Sequence, residues 1–140
     1  MKVRDVMTAG VVSGRPDDTI QAIARQMSEI DTGVIPITEG GRVVGLITDR
    51  DIVLRIVAED GDLDSPVSSV MTTHVETVTE NDSLKDATRK MGELQIRRLV
   101  VLGDDGRLAG ILSLGDVALE AGSRAERVLE NVSDPGDRPA

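Results

Sequence analysis

Two short motifs place a hydroxyl three residues before a carboxylate: Thr48-x-x-Asp51 and Ser113-x-x-Asp116. Each follows an apolar run and precedes an amphipathic one, so each sits where a strand hands over to a helix. Two chemistries suit that position. In one, the hydroxyl accepts a hydrogen bond from a backbone N–H of the first helical turn and the carboxylate lies at the positive end of the helix, which is a cap and nothing more. In the other, the carboxylate accepts hydrogen bonds from the two hydroxyls of a ribose, while the hydroxyl side chain and the helix N-terminus face a phosphate. The two are compatible, because a carboxylate has several acceptor positions.

Other chemistries find little to work with. His74 is the sole histidine and there is no cysteine, which excludes Cys/His nucleophile pairs and clustered histidine metal sites. A Ser-His-Asp arrangement would have to rest on His74 with no supporting motif. No lysine follows a glycine and no two glycines are two apart, so neither a P-loop nor a G-x-G-x-x-G turn is present. Asp60-x-Asp62-x-Asp64 begins like a calcium loop, but Ser65 stands where glycine is required and Met71 where the bidentate glutamate belongs, and the run reads as a solvated linker. We expect no enzyme, no catalytic cofactor and no metal.

Charge and composition narrow the partners. The net charge of −9 has the wrong sign for binding a nucleic-acid backbone or an anionic membrane. No signal-peptide segment and no run of spanning length is present, so a soluble, cytoplasmic protein is expected. The 140 residues suit one compact domain or two small halves sharing a core. Phe, Tyr and Trp are absent, which leaves the core to branched aliphatics, Ala and Met. Any nucleobase must be held between aliphatic walls and backbone groups.

The elements that position the two motifs repeat. Val6-Met7-Thr8 returns as Val70-Met71-Thr72, Asp18-Thr19-Ile20 as Asp82-Ser83-Leu84, and Gly45-Leu46-Ile47-Thr48 as Gly110-Ile111-Leu112-Ser113, with one extra residue in the second glycine turn. Ile20, Ile23, Ala24, Met27 and Ile30 recur at helical spacing behind a capping candidate, Asp18, as do Leu84, Ala87, Met91 and Leu94 behind Asp82. Paired apolar runs around each glycine turn suit hairpin strands. A second helix follows from Asp49 to about Ala58 and from Leu114 to about Ala121. With short strands near Val11-Val12 and Val75–Val78, the unit is β-α-β-β-α. The expected fold is α/β (α+β): repeat one over 1–60, an acidic linker over 61–66, repeat two over 67–122, and a C-terminal helix and tail over 123–140, whose Val128, Leu129 and Val132 can cover a core edge. One unit alone exposes an apolar face, so the copies should pack sheet against sheet about a pseudo-twofold axis.

The ordered set of motifs, present twice over residues 3 to 122, resembles the paired cystathionine-β-synthase (CBS) domain module, or Bateman module. The resemblance rests on Val-Met-Thr opening both units, on Gly33-Val34-Ile35-Pro36-Ile37 and Arg97-Arg98-Leu99-Val100-Val101 before the glycine turns, and on Gly45–Asp51 and Gly110–Asp116 after them. It implies a regulatory module for an adenosine-containing ligand (AMP or ATP foremost, with ADP, NAD and S-adenosylmethionine as further members), two clefts, homodimerisation into a disc, and a protein partner regulated in trans.

The resemblance also implies how the residues group. A preferred second cleft takes Thr72, Val75 and Ile96 beside the base and Arg97, Ser113, Asp116 and Arg55 beside the sugar-phosphate. A possible first cleft takes Thr8, Val11, Thr32, Thr48 and Asp51, with Gly33 in place of Arg97. Glu120, four residues after Asp116, would reach this first cleft and repel phosphate. Arg55 has an alternative as the i,i+4 partner of Asp51, worth about 0.2–0.5 kcal/mol. Strand alternation sends Arg97 and Arg98 to opposite faces, so Arg98 is expected in solvent or at an interface. His74 is read as an exposed loop residue. A ligand-independent interaction or oligomerisation module, its motifs merely capping helices, is the competing expectation.

Overall fold

The structure, a computed structural model, describes residues 1–122. The expected C-terminal helix and tail over 123–140 lie outside the described residues. Helix α1 (Ile20–Ile30) turns Ile20, Ile23 and Met27 inward, and α3 (Leu84–Leu94) does the same with Ala87 and Met91. Their caps sit one residue later than the sequence reading placed them. Thr19 accepts from the Ala22 N–H at 3.1 Å and Ser83 from the Asp86 N–H at 3.0 Å. Asp18 and Asp82 instead close the preceding turns, accepting from the backbone of Arg15 and Thr79, both at 2.9 Å. A carboxylate one residue before the cap reaches back to the N–H three residues upstream and closes that turn rather than the helix.

Strands β2 (Val34–Glu39) and β3 (Arg42–Thr48) form an antiparallel hairpin. Its two-residue turn, Gly40-Gly41, holds both residues at positive φ (61° and 81°), the conformation that matches strand twist and that glycine supplies at least cost. In the second repeat β5 (Arg98–Leu102) and β6 (Leu108–Ser113) pair likewise, and β4 (Thr77–Thr79) adds in parallel to β5. Helix α2 runs over Asp49–Ile52 and continues through a π-type turn, Val53–Val57. Helix α4 covers 114–122.

The opening strands cross between repeats. Strand β1 (Thr8–Ala9) belongs to the first repeat by sequence, yet pairs antiparallel with β6 of the second, Thr8 against Ile111 and Ala9 against Gly110. Reciprocally, Thr72 of the second repeat bridges Leu46 on β3. Val11 and Val12, expected as a strand, lie outside any strand; the first repeat's pairing is made earlier, at Thr8–Ala9. The four-stranded sheet therefore runs β1-β6-β5-β4, and the β2-β3 hairpin carries flanking bridges at Gly14 and Thr72.

The cores follow the same exchange. One gathers Ile20, Ile23, Ile35, Ile37 and Ile47 with Val67 of the second repeat, and the other gathers Val78, Met91, Leu99 and Leu112 with Val3 of the first. Ile35 and Ile37, like Leu99 and Val101, face these helix-side cores. Alternation sends Pro36 and Val100 to the opposite faces, where both are nonetheless almost fully buried. Each sheet is thus covered on its second face as well, which is the sheet-to-sheet closure that aliphatic repeats of this size require. No helix among the described residues is long and apolar enough to cross a membrane.

Candidate functional site

Both hydroxyl–carboxylate motifs close as capping boxes. The Thr48 N–H donates to Asp51 Oδ2 at 3.0 Å and the Asp51 N–H returns to Thr48 Oγ1 at 3.1 Å. The Ser113 N–H donates to Asp116 Oδ2 at 3.2 Å, and the Asp116 N–H to Ser113 Oγ at 3.0 Å. The capping chemistry is therefore realised twice, and it uses one oxygen of each carboxylate.

The second oxygens differ. Asp51 Oδ1 faces Arg55 Nη2 at 3.8 Å, one helical turn on. The same position after Asp116 is Glu120, which cannot pair with a carboxylate in this way, and Asp116 Oδ1 has no hydrogen-bond or ion-pair partner among the described residues. Arg55 also donates to the Val70 carbonyl at 2.7 Å. The structure thus holds Arg55 on Asp51 and Val70 and does not bring it to Ser113 and Asp116, where the second cleft had been expected to receive it.

Two crevices lie between the repeats. In the wider one, of about 490 Å³, Thr8, Val11, Thr32 and Gly33 of the first repeat face Arg98, Ser113 and Asp116 of the second. The narrower, of about 240 Å³, brings Thr72, Val75, Ile96 and Arg97 of the second repeat opposite Thr48 of the first. The expected sets are therefore recombined: Ser113 and Asp116 meet Thr8, Val11 and Thr32, whereas Thr72, Val75 and Ile96 meet Thr48. The crossing of the opening strands is the cause. Pairing Thr8 with Ile111 carries the first repeat's opening segment to the end of β6, beside Ser113, and the Leu46–Thr72 bridge carries the second repeat's segment toward Thr48. Asp51 and Arg55 line neither crevice.

Arginine placement also departs from expectation. Arg98 is the cross-strand partner of Ser113, and directly opposed residues of an antiparallel pair project to the same face. Arg98, not Arg97, therefore joins Ser113 and Asp116, and the alternation argument sends Arg97 to the narrow crevice instead. Counting outward from Leu102 opposite Leu108 at the turn would instead pair Arg97 with Ser113; a shift of register between Val101 and Leu102 brings Arg98 opposite Ser113, and nothing in the sequence announced that irregularity. Neither arginine makes an ion pair among the described residues. Gly33 and Arg97 occupy equivalent places in the two crevices, one adding no side chain and the other a guanidinium.

Glu120 does not reach the wide crevice. It lines a separate groove with Met1, Leu84 and Lys85, beside the first turns of α3, so the expected repulsion of phosphate is absent there. His74 is 88% exposed, with its ring Nε2 2.8 Å from Glu76 Oε1 at the mouth of the narrow crevice.

The geometry can be set beside known proteins. The family model described as the CBS domain matches residues 3–58 and again 67–122. A CBS domain-containing protein of Bacillus subtilis, YhcV, is 42% identical over 133 residues, covering 94% of this chain and 94% of that one. Among solved structures, a CBS domain protein from Pyrobaculum aerophilum complexed with AMP superimposes with a TM-score of 0.75 at 30% identity, covering 83% of this chain and 89% of that chain. Hypoxic Response Protein I with two coordinated zinc ions does so with a TM-score of 0.74 at 33% identity, covering 86% and 98%.

Proposed function

This chain belongs to the CBS-domain family, and on that premise we propose that it is a regulatory, non-catalytic module that binds an adenosine-containing nucleotide, AMP or ATP foremost, in its wide crevice and signals to a protein partner in trans. One observation carries the reading: Asp116 Oδ1 has no partner among the described residues, in a crevice of about 490 Å³ that also receives Arg98. The volume lies within the range of small-molecule sites. Asp116 accepts from the ribose hydroxyls through Oδ1 while Oδ2 keeps the cap, and Arg98, the Ser113 hydroxyl and the N-terminus of α4 face the phosphate. Thr8, Val11 and Thr32 hold the base, with aliphatic contact and backbone hydrogen bonds replacing the absent aromatic ring. The AMP complex of the Pyrobaculum relative supports the ligand class.

A homodimer is the second part of the reading. Val53, Leu54 and Val57 on α2 are 53%, 49% and 62% exposed, and Leu119 on α4, the counterpart of Leu54, is 73% exposed. Apolar faces on equivalent helices suit a partner of the same kind. Zinc, named for Hypoxic Response Protein I, does not fit here: the sequence has no cysteine, and no group of three or more His, Cys, Asp or Glu that could hold a metal forms among the described residues.

Thermal melting tests the ligand. AMP at one hundred times its dissociation constant stabilises the folded state by about 2.7 kcal/mol, a rise of several degrees for a chain of this length. The melt needs an added dye, because Trp and Tyr are absent. If AMP, ADP, ATP, NAD and S-adenosylmethionine all leave the midpoint unmoved at millimolar concentration, the ligand-independent interaction module is the correct reading.

A further inference from the structure

A groove of about 460 Å³ opens between the first turns of α3 and the end of α4, lined by Met1, Leu84, Thr88, Val117 and Ala121. The same place in the first repeat is closed. There Ile20, Ile52 and Ile56, the counterparts of Leu84, Val117 and Ala121, are 0%, 8% and 5% exposed, whereas Leu84 and Val117 are half-buried and Ala121 is exposed. The chain that follows α2 closes it: residues 59–66 run back along α1, where the Gln21 N–H donates to the Leu63 carbonyl at 3.0 Å and the Ile20 N–H to that of Ser65 at 3.0 Å. In the second repeat the Leu84 N–H donates to the Met1 carbonyl at 2.9 Å, so Met1 stands where Ser65 stands, but the Lys85 N–H, the counterpart of Gln21, has no acceptor among the described residues. No described residue takes the place of Leu63. The chain leaves α4 at this groove, since Ala121 lines it, and 18 residues follow Gly122. The spacing that carries Asp51 onto Asp116 carries Leu63-Asp64 onto Val128-Leu129. Two apolar residues stand where the linker has one, and α4 offers the smaller Ala121 where α2 offers Ile56, so the extra bulk has room.

We propose that residues 123–129 of the same chain cover this groove, with Val128 and Leu129 seated on Leu84, Val117 and Ala121, and so do for α3 and α4 what residues 59–66 do for α1 and α2. The equivalence is of the place reached and not of the path, because Ala125-Glu126 stand where the linker turns through Asp60, at φ 53°, and Gly61. Seating two aliphatic side chains there removes apolar surface of both the groove and the segment from water. Helix α4 starts at the Ser113–Asp116 capping box, so the segment that holds its end also steadies the helix that presents Asp116. The cover is independent of what the wide crevice binds.

The chain has no cysteine, so two introduced thiols find only each other. In the whole chain under mild oxidation, Thr88→Cys with Val128→Cys should form an intrachain disulfide about tenfold faster than Thr88→Cys with Ser133→Cys, because the two loops differ too little in length to change closure by even about twofold. Equal rates mean a tail that touches the groove only in passing, and disulfide-linked dimers mean that a second copy supplies the cover; either result overturns the proposal. So does the absence of any disulfide, which leaves the groove to a separate partner protein. A second variant needs no thiol. Leu129→Asp should speed amide exchange in the last turn of α4 about tenfold while leaving α1 unchanged, and unchanged exchange at the end of α4 overturns the proposal as well.

Discussion

Asp116→Ala is expected to weaken AMP binding by a factor of a hundred or more, while Asp51→Ala leaves it within a few-fold of the original. The two aspartates do the same structural work, each accepting from the backbone N–H of its own motif hydroxyl residue at 3.0 Å or 3.2 Å. Removing either therefore costs a similar amount of stability, about 1 kcal/mol for the lost reciprocal hydrogen bond of the capping box. They differ in what the other oxygen meets. Asp51 Oδ1 is occupied by Arg55, whereas Asp116 Oδ1 is left for two ribose hydroxyls. Charge-assisted hydrogen bonds contribute about 1.5–3 kcal/mol each, and two of them account for the hundredfold or greater loss. Asp51→Ala thus controls for fold damage within the same experiment. Titration calorimetry on both variants, with a melt to confirm that each is folded, decides the matter; equal losses of affinity contradict the asymmetry.

The second large effect concerns stability. Gly45 and Gly110 are equivalent positions, and across each lies the opening segment of the other repeat. A Cβ on Gly110 would collide with the Thr8 carbonyl oxygen, which is backbone and belongs to the β1–β6 pairing; one on Gly45 would meet the thioether of Met71. A methionine side chain can turn aside and a paired strand cannot. Gly110→Ala should therefore destabilise the chain by about 3 kcal/mol, the upper part of the usual overpacking range, with a fall in melting temperature on the order of 10 °C. Gly45→Ala should cost less than half as much. Because Thr8 lines the wide crevice, Gly110→Ala should also impair AMP binding. Denaturation of the two variants side by side checks the order, and a larger loss for Gly45→Ala would contradict the exchanged-strand account.

The repeat, the hairpins and the amphipathic helices were legible because each is written in local spacing: apolar periods of the helical or strand kind, a glycine pair at a tight turn, a hydroxyl before a carboxylate. The helix caps were misplaced by one residue because Asp18-Thr19 and Asp82-Ser83 each offer two capping side chains, and only the geometry of the preceding turn chooses between them. The exchange of opening strands was not legible. An edge strand's hydrogen-bonding partner is set by where the chain closes in space, and Thr8–Ala9 has the same sequence character whichever sheet it joins. That one unknown recombined the expected clefts. It did not disturb the pairing of Ser113 with Asp116, which is local, and it moved Thr72, Val75 and Ile96 together, because they stay with their own repeat. Arg98 was misjudged for a different reason: its face follows from its opposition to Ser113, which requires the hairpin register as well as the alternation along one strand.

The most direct measurement is a crystal structure of the chain grown with AMP. The account predicts ribose hydroxyls on Asp116 Oδ1 and a phosphate within hydrogen-bond reach of Arg98 and the Ser113 hydroxyl, with Asp51 still paired to Arg55. AMP found against Thr48, Thr72 and Arg97 in the narrow crevice, with the wide one holding none, would contradict it.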